Sequence, residues 1–321
     1  MMNGTKTWII ALILIVVGAG LFAVAMAANG WDFTKLSTRP YVTKTHTVTE
    51  PFTDLSINAS TAKVVFLPSS DGTVRVTCFD DEHVTYAVEV DDGTLKIDPV
   101  HKKRSWLDRI AITLQSAKIT IELPLNTYGA LTVKENTGDI EIPADFAFEN
   151  IDITTGTGDI SVAASVYGSL KLHTSTGDIR VEGGTPTSMD LSVSTGKINV
   201  TDVACGGDLL LKVSTGKSLL TNLTCKSLTT QGNTGDITLK NVIATESISI
   251  TRTTGDVRLE SCDAAALVIE TDTGDVTGSL RTAKIFAPKT DTGKIRIPQS
   301  DVGGRCEITT STGDITLEIL E

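Results

Sequence analysis

Ten acidic or basic residues occupy one recurring place, immediately after a Thr-Gly pair: Asp139, Asp159, Asp178, Lys197, Lys217, Asp236, Asp256, Asp275, Lys294 and Asp314. Carboxylates brought into one column would repel, and a divalent cation held by their oxygens would relieve the strain. Calcium-binding β-rolls, however, use a much shorter glycine-rich repeat. Here each charged residue precedes a residue of inward parity, so the carboxylates are expected to face water as turn residues, and no metal ligands are assigned. His173, between Leu172 and Thr174, has the parity of an exposed residue. No Ser/His/Asp set, ligand spacing or phosphate loop occurs, so catalytic residues, cofactor-binding residues and cofactors are all expected to be none. His101, Lys102, Lys103, Arg104 and Trp106 form a basic, aromatic cluster that could meet anionic headgroups. A solvated loop is the preferred reading. The net charge of −11 argues against nucleic acid as a partner.

What positions these residues is a repeat. The glycines before them, from Gly138 to Gly313, are spaced 19 or 20 residues apart. Apolar residues fall seven and five places before each glycine and two and four after it, as in Leu170, Leu172, Ile179 and Val181. Polar residues lie between. A period of two on both sides of a tight corner means two half-buried strands per unit. An antiparallel meander closing into a barrel would also put the apolar places on one face. Hairpins of the favoured kind prefer Asn-Gly, though, and the corners here carry Thr before Gly. The expected fold is all-β, a single-stranded β-solenoid (β-helix) of about ten regular 19–20-residue coils in which equivalent residues stack in columns. The Thr-x-Thr pairs, such as Thr155 and Thr157 or Thr174 and Thr176, share the inward parity of the core and read as Thr ladders rather than an ice-binding array.

Leu55, Ile57, Val64 and Phe66 repeat the apolar offsets around Ala62, which marks a degenerate coil. Val74 and Val76, Tyr86 to Val90, Leu95 and Ile97, and Ile119 to Leu123 read as further strands of an irregular N-terminal cap. At the other end the chain stops after a complete copy, at Leu317, Ile319, Leu320 and Glu321. Those last strands would form a bare edge, where self-association by strand addition is one expectation and a charge-guarded end the other. Five cysteines are too few for a disulfide scaffold. Cys205 and Cys225 should stack in adjacent coils as buried filling, and Cys78, Cys262 and Cys306 read as core.

Trp8 to Ala28 is almost wholly apolar and long enough to span a bilayer as one transmembrane helix. A cleaved signal peptide competes, since Ala25-Met26-Ala27 is an acceptable cleavage site, but the length favours an uncleaved anchor. The expected organisation is 1–7 as a cytoplasmic N-terminus, 8–28 as the anchor, 29–44 as a tether, 45–130 as capping coils and 131–321 as the regular solenoid. The C-terminal domain is then extracytoplasmic at the cell membrane.

Ser175-Thr176-Gly177-Asp178-Ile179, Asn233-Thr234-Gly235-Asp236-Ile237 and Ser311-Thr312-Gly313-Asp314-Ile315, behind one apolar helix, resemble the bacterial domain-of-unknown-function family labelled "putative adhesin". The resemblance covers about 41–321. It implies a membrane-anchored β-solenoid, and some members are encoded beside envelope-stress or anti-sigma genes. The functional expectation is a non-enzymatic cell-surface binding or scaffolding module whose partner is an extracellular polymer. The alternatives are an accessory or sensor of envelope stress with a membrane-protein partner and a carbohydrate-active β-helix enzyme.

Overall fold

The computed structural model describes residues 4–28, 30–31, 42–80, 84–101 and 117–320. Most of the tether 29–44 and the cluster from Lys102 to Trp106 fall outside these residues. His101 is described, exposed at the end of a strand.

The apolar run lies within one helix, Gly4–Ala28. Its Ala11–Ala28 segment has a mean hydropathy of 2.7 and is long and apolar enough to cross a membrane. A helix satisfies its own backbone, which lipid requires. The helix stops where Gly30 turns left-handed (φ +66°), with Gly30 N donating to Ala27 O and Trp31 N to Met26 O.

The remainder is a right-through stack of parallel, in-register coils. Lys171 lies between Asp152 and Asp190, and Thr176 between Thr157 and Thr195. After the corner, Ile160 lies between Ile140 and Ile179. Aliphatic places seven and five before the glycine and two and four after it close over a shared interior, as with Leu170, Leu172, Ile179 and Val181, each at most 2% exposed. No single coil could bury its own face, so neighbours supply the stability.

Two side-chain devices hold the first corner. A Cβ at Gly235 would lie 1.9 Å from the Gly216 carbonyl oxygen, and Gly235 sits at φ +126°, so both space and conformation exclude other residues. The Asp that follows uses its Oδ1 to accept the backbone N–H of the equivalent residue in the next coil. Asp178 N donates to Asp159 at 2.7 Å, Lys197 N to Asp178 at 2.7 Å and Asp275 N to Asp256 at 2.9 Å. The two threonines differ from the expected common inward orientation. Thr174 is buried and donates to Gly158 O at 3.0 Å, whereas Thr176 is exposed because the chain is already turning the corner.

In the coils from Gly177 to Gly255 a second corner appears six residues after the glycine, beginning with Gly183 at φ +74°. Asp202, Asn222, Asn241 and Ser261 adopt φ between 52° and 57°, the left-handed region that Asn and Asp tolerate best. Asn222 Nδ2 donates to Asp202 at 2.7 Å and Asn241 Nδ2 to Asn222 at 2.8 Å, which makes an amide ladder. Arg281 closes it by donating to Asn241 and to Ser261 O.

At both ends, stacking order departs from chain order. The strand Asp54–Pro68 is the degenerate coil, with Leu55 beside Leu131 and Val64 beside Ile140. Its outer neighbours come later in sequence: Thr94–His101 pairs with its first half and Ala117–Leu123 with its second. Beyond them, Val84–Asp91, Val74–Asp80 and Val42–Val48 add antiparallel strands that finish the cap.

The C-terminal strands are not the bare edge expected from the sequence. Gly304–Thr312 pairs with Lys284–Thr292 on one side and with Leu267 to Thr273 on the other. Likewise Ile315–Ile319 lies between Val276–Leu280 and Ile295–Arg296. The penultimate copy is therefore outermost. Its composition accounts for this: Pro288 stands where most other copies carry an aliphatic residue, and a proline cannot serve a strand flanked on both sides. The last copy has Cys306, Ile308, Ile315 and Leu317, all buried, and suits the interior.

Candidate functional site

The strand before each glycine presents the residues two, four and six places ahead of it to solvent, because successive side chains alternate between faces. Stacked in register, these residues make one continuous outward face. One row runs Asp152, Lys171, Asp190, alternating in charge between register partners. The next runs Thr154, His173, Ser192, Lys212. The third is small and polar, with Ser175, Ser194, Ser214 and Asn233 all exposed. A shallow depression is bounded by Asp152, Lys171, His173, Asp190, Ser192 and Lys212. The face can therefore offer hydroxyls and paired opposite charges to a flat or extended ligand. His173 is half-buried on this outward side, flanked by Thr154 and Ser192.

The face after the corner is bound up in its own ion pairs: Lys63 with Glu141 at 3.3 Å, Arg180 with Glu182 at 3.0 Å and Lys240 with Glu260 at 3.2 Å. Lys240, first, and Arg258 hold the Glu260 carboxyl below its ordinary range. These exposed pairs contribute little stability. The Asp column is the inter-coil ladder described above, each described carboxylate having one oxygen engaged by backbone. Among the described residues no group of three or more His, Cys, Asp or Glu is placed to hold a metal ion.

All five cysteines are free and buried. Cys205 N donates to Thr224 O, so Cys205 and Cys225 do lie in adjacent coils. Burial pushes Cys78, Cys225 and Cys306 up to about 12, the state of inert core thiols.

Sequence reasoning missed two features. The second-corner ladder was signalled by Asp, Asn, Asn and Ser six places after four successive glycines. A polar break in the core, Ser218, Thr230, Gly232 and Arg252, was signalled by four departures from aliphatic or threonine columns.

A parallel β-solenoid with an irregular N-terminal cap and an apolar helix ahead of it defines a class of repeat proteins built to present long faces. The chain belongs to the Toastrack DUF4097 family, whose sequence profile matches residues 52–217 and again 206–321. Among solved structures it is similar to a "putative adhesin" from Bacteroides fragilis NCTC 9343, at 17% identity over 88% of this chain and 99% of that one, with a TM-score of 0.41. A "putative lipid binding protein" from Parabacteroides distasonis ATCC 8503 is 14% identical over 86% and 97%, with a TM-score of 0.43. A "putative adhesin" from the same organism is 14% identical over 87% and 98%, with a TM-score of 0.42. No curated protein matches the chain.

Proposed function

We propose that this chain is a non-enzymatic binding module, held at the cell membrane by its N-terminal helix with the solenoid outside, and that it contacts an extended polar polymer through the outward face ahead of the glycine column. The observation that carries this reading is the repetition and chemistry of that face. Its Asp152, Lys171 and Asp190 row and its serine rows repeat along the stack at about 4.8 Å, so one polymer meets many equivalent contacts. The opposite face has its charges paired internally and offers less. Among the described residues no long connection walls a groove beside the outward rows, which favours adhesion over carbohydrate turnover.

The test uses the full chain in nanodiscs and insoluble envelope polymer from its native cell. Charge reversal at Lys171 and Lys212 together is expected to weaken retention about tenfold, and reversal at Arg180 on the other face to leave it unchanged. Equal effects from both faces would remove the assignment. Retention by a membrane protein alone, with polymer ignored, would favour the envelope-stress accessory role instead.

A further inference from the structure

Arg252 is the largest fully buried side chain of the described residues, 2% exposed, and it stands in a column that holds threonine or valine in most other coils. Its register partners run Val213, Gly232, Arg252, Thr271. Three further departures accompany it. Gly232 has no side chain in the coil next to Arg252, and a Cβ there would lie 1.8 Å from Arg252 Nη1, so the guanidinium occupies the space that glycine leaves. Ser218 replaces the aliphatic of its column, where Ile198 and Ile237 are its neighbours. Its Oγ is 3.4 Å from Arg252 Nη2. Thr230 replaces the aliphatic two places before Gly232 and is fully buried.

The hydrogen-bonding balance of this region is one-sided. Arg252 Nε, Arg252 Nη1 and Thr230 Oγ1 are buried without partners. Burial pulls the guanidinium down to about 10, which leaves it charged at neutral pH. Asp236 acts on the guanidinium through its charge, against the effect of burial, but its own bonds are made elsewhere, in an ion pair with Lys217 at 2.9 Å and as acceptor of Asp256 N at 3.2 Å. A buried charge whose N–H groups lack acceptors is costly. Two guanidinium donors and one hydroxyl are therefore left unanswered inside the coil.

We propose that the coil interior at Arg252 is a binding site for a small monovalent anion, a halide, held by Nε and Nη1 of Arg252 with Ser218 and Thr230 as hydroxyl donors. A halide accepts from the donors that lack partners without bringing a proton or a long side chain, and Ser218 and Thr230 place hydroxyls in columns that are aliphatic in the neighbouring coils. A divalent cation is repelled by the same donors.

The full-length protein in detergent tests this by thermal unfolding in sodium bromide against sodium methanesulfonate at equal ionic strength. The native midpoint is expected to climb by a few degrees as bromide rises, since a ligand that binds only the folded state stabilises it by mass action. Arg252→Thr restores the residue that Thr155, Thr174 and Thr271 place in the same column, so it should fold, and its midpoint should ignore bromide. Crystals grown in bromide should show an anomalous peak in contact with Arg252 Nε or Nη1. The same bromide dependence in native protein and variant, or a native crystal without that peak, overturns the proposal.

Discussion

The two ends of the stack face one problem, an exposed cross-section of core, and answer it with different chemistry. At the N-terminal end the chain folds back over itself. Antiparallel strands Val42–Val48, Val74–Asp80 and Val84–Asp91 extend the cap, and Phe66 packs edge-on against Phe146 at 6.0 Å and Phe148 at 6.2 Å. Tyr128 continues the cluster, 5.7 Å from Phe148 and 6.1 Å from Phe52. At the C-terminal end no such cover is built among the described residues. The copy with Pro288, Lys289 and Arg296 is simply placed outermost, leaving Ile295 43% exposed beside a depression of about 720 Å³ lined by Phe286, Ile297 and Pro298. One end is closed by aromatic packing. The other is open and defended by composition, as edge strands commonly are.

That contrast is tested first by deletion of bulk. Phe148→Ala in the cap should cost about 3–5 kcal/mol, because the ring is fully buried and its neighbours are rigid. Ile295→Ala at the open end should cost under about 1 kcal/mol, since much of its surface is already wet. Denaturant titration of the full chain followed by circular dichroism separates the two. Equal losses would mean that the C-terminal end is covered after all.

Corner glycines grade the rod in the same way. Gly235→Ala forces a Cβ against the Gly216 carbonyl at a left-handed φ in mid-stack, and about 1–3 kcal/mol of destabilisation is expected. At Gly293 the clash is with Gly313 O at 2.0 Å, yet among the described residues the outermost coil has no further neighbour and can shift outward. Gly293→Ala should therefore lower the unfolding midpoint less than Gly235→Ala does.

Much of this was legible in the residues because the repeat is strict. The glycine spacing and the four aliphatic offsets fix the parallel register, and they extend to Leu55, Ile57, Val64 and Phe66 although the corner there is Ala62. Neighbour order is a different kind of information. A one-coil exchange keeps every offset and every inward face, so periodicity alone places the last copy outermost. Only Pro288 and Lys284 in the ninth copy hinted otherwise, and Lys284 is buried against Asp263 at 2.6 Å. The outward face followed from parity, but its pairing of Asp152 with Lys171 required the register. The Arg252 region was visible as four separate exceptions, and only stacking brought Ser218 and Gly232 to the same guanidinium. Strand directions in the cap were illegible, since short alternating segments look alike in either direction.

A smaller difference between the ends is electrostatic. Glu135 takes the column place that carries buried threonine in several later coils, and its Oε1 accepts Ala62 N at 3.3 Å and Thr137 N at 3.1 Å. Burial raises its carboxyl to about 7, against the opposing pull of those backbone donors. A carboxyl raised in the folded state stabilises fully below its unfolded pKa and loses that contribution as pH rises through the folded one. Amide exchange in the cap should thus quicken from about pH 5 to about pH 7 beyond the intrinsic base-catalysed increase, while the C-terminal coils show only that increase. Glu135→Gln should remove the excess. An excess of the same size in both regions would assign it to global unfolding rather than to the cap.

The weakest effect on stability belongs to Pro288, and it bears most directly on how the open end stays single. Pro288 has no N–H to offer and interrupts the outer row of Lys284–Thr292, so a second chain finds an incomplete edge. Pro288→Val should change unfolding free energy by no more than about 0.5 kcal/mol, since the site is half-buried and at the margin. It should instead allow concentration-dependent association, read by light scattering of the full chain in detergent, with the native protein unchanged over the same range. A variant that stays as the native protein does would shift the defence of this end from proline to charge, with Lys289 and Arg296 the next residues to neutralise.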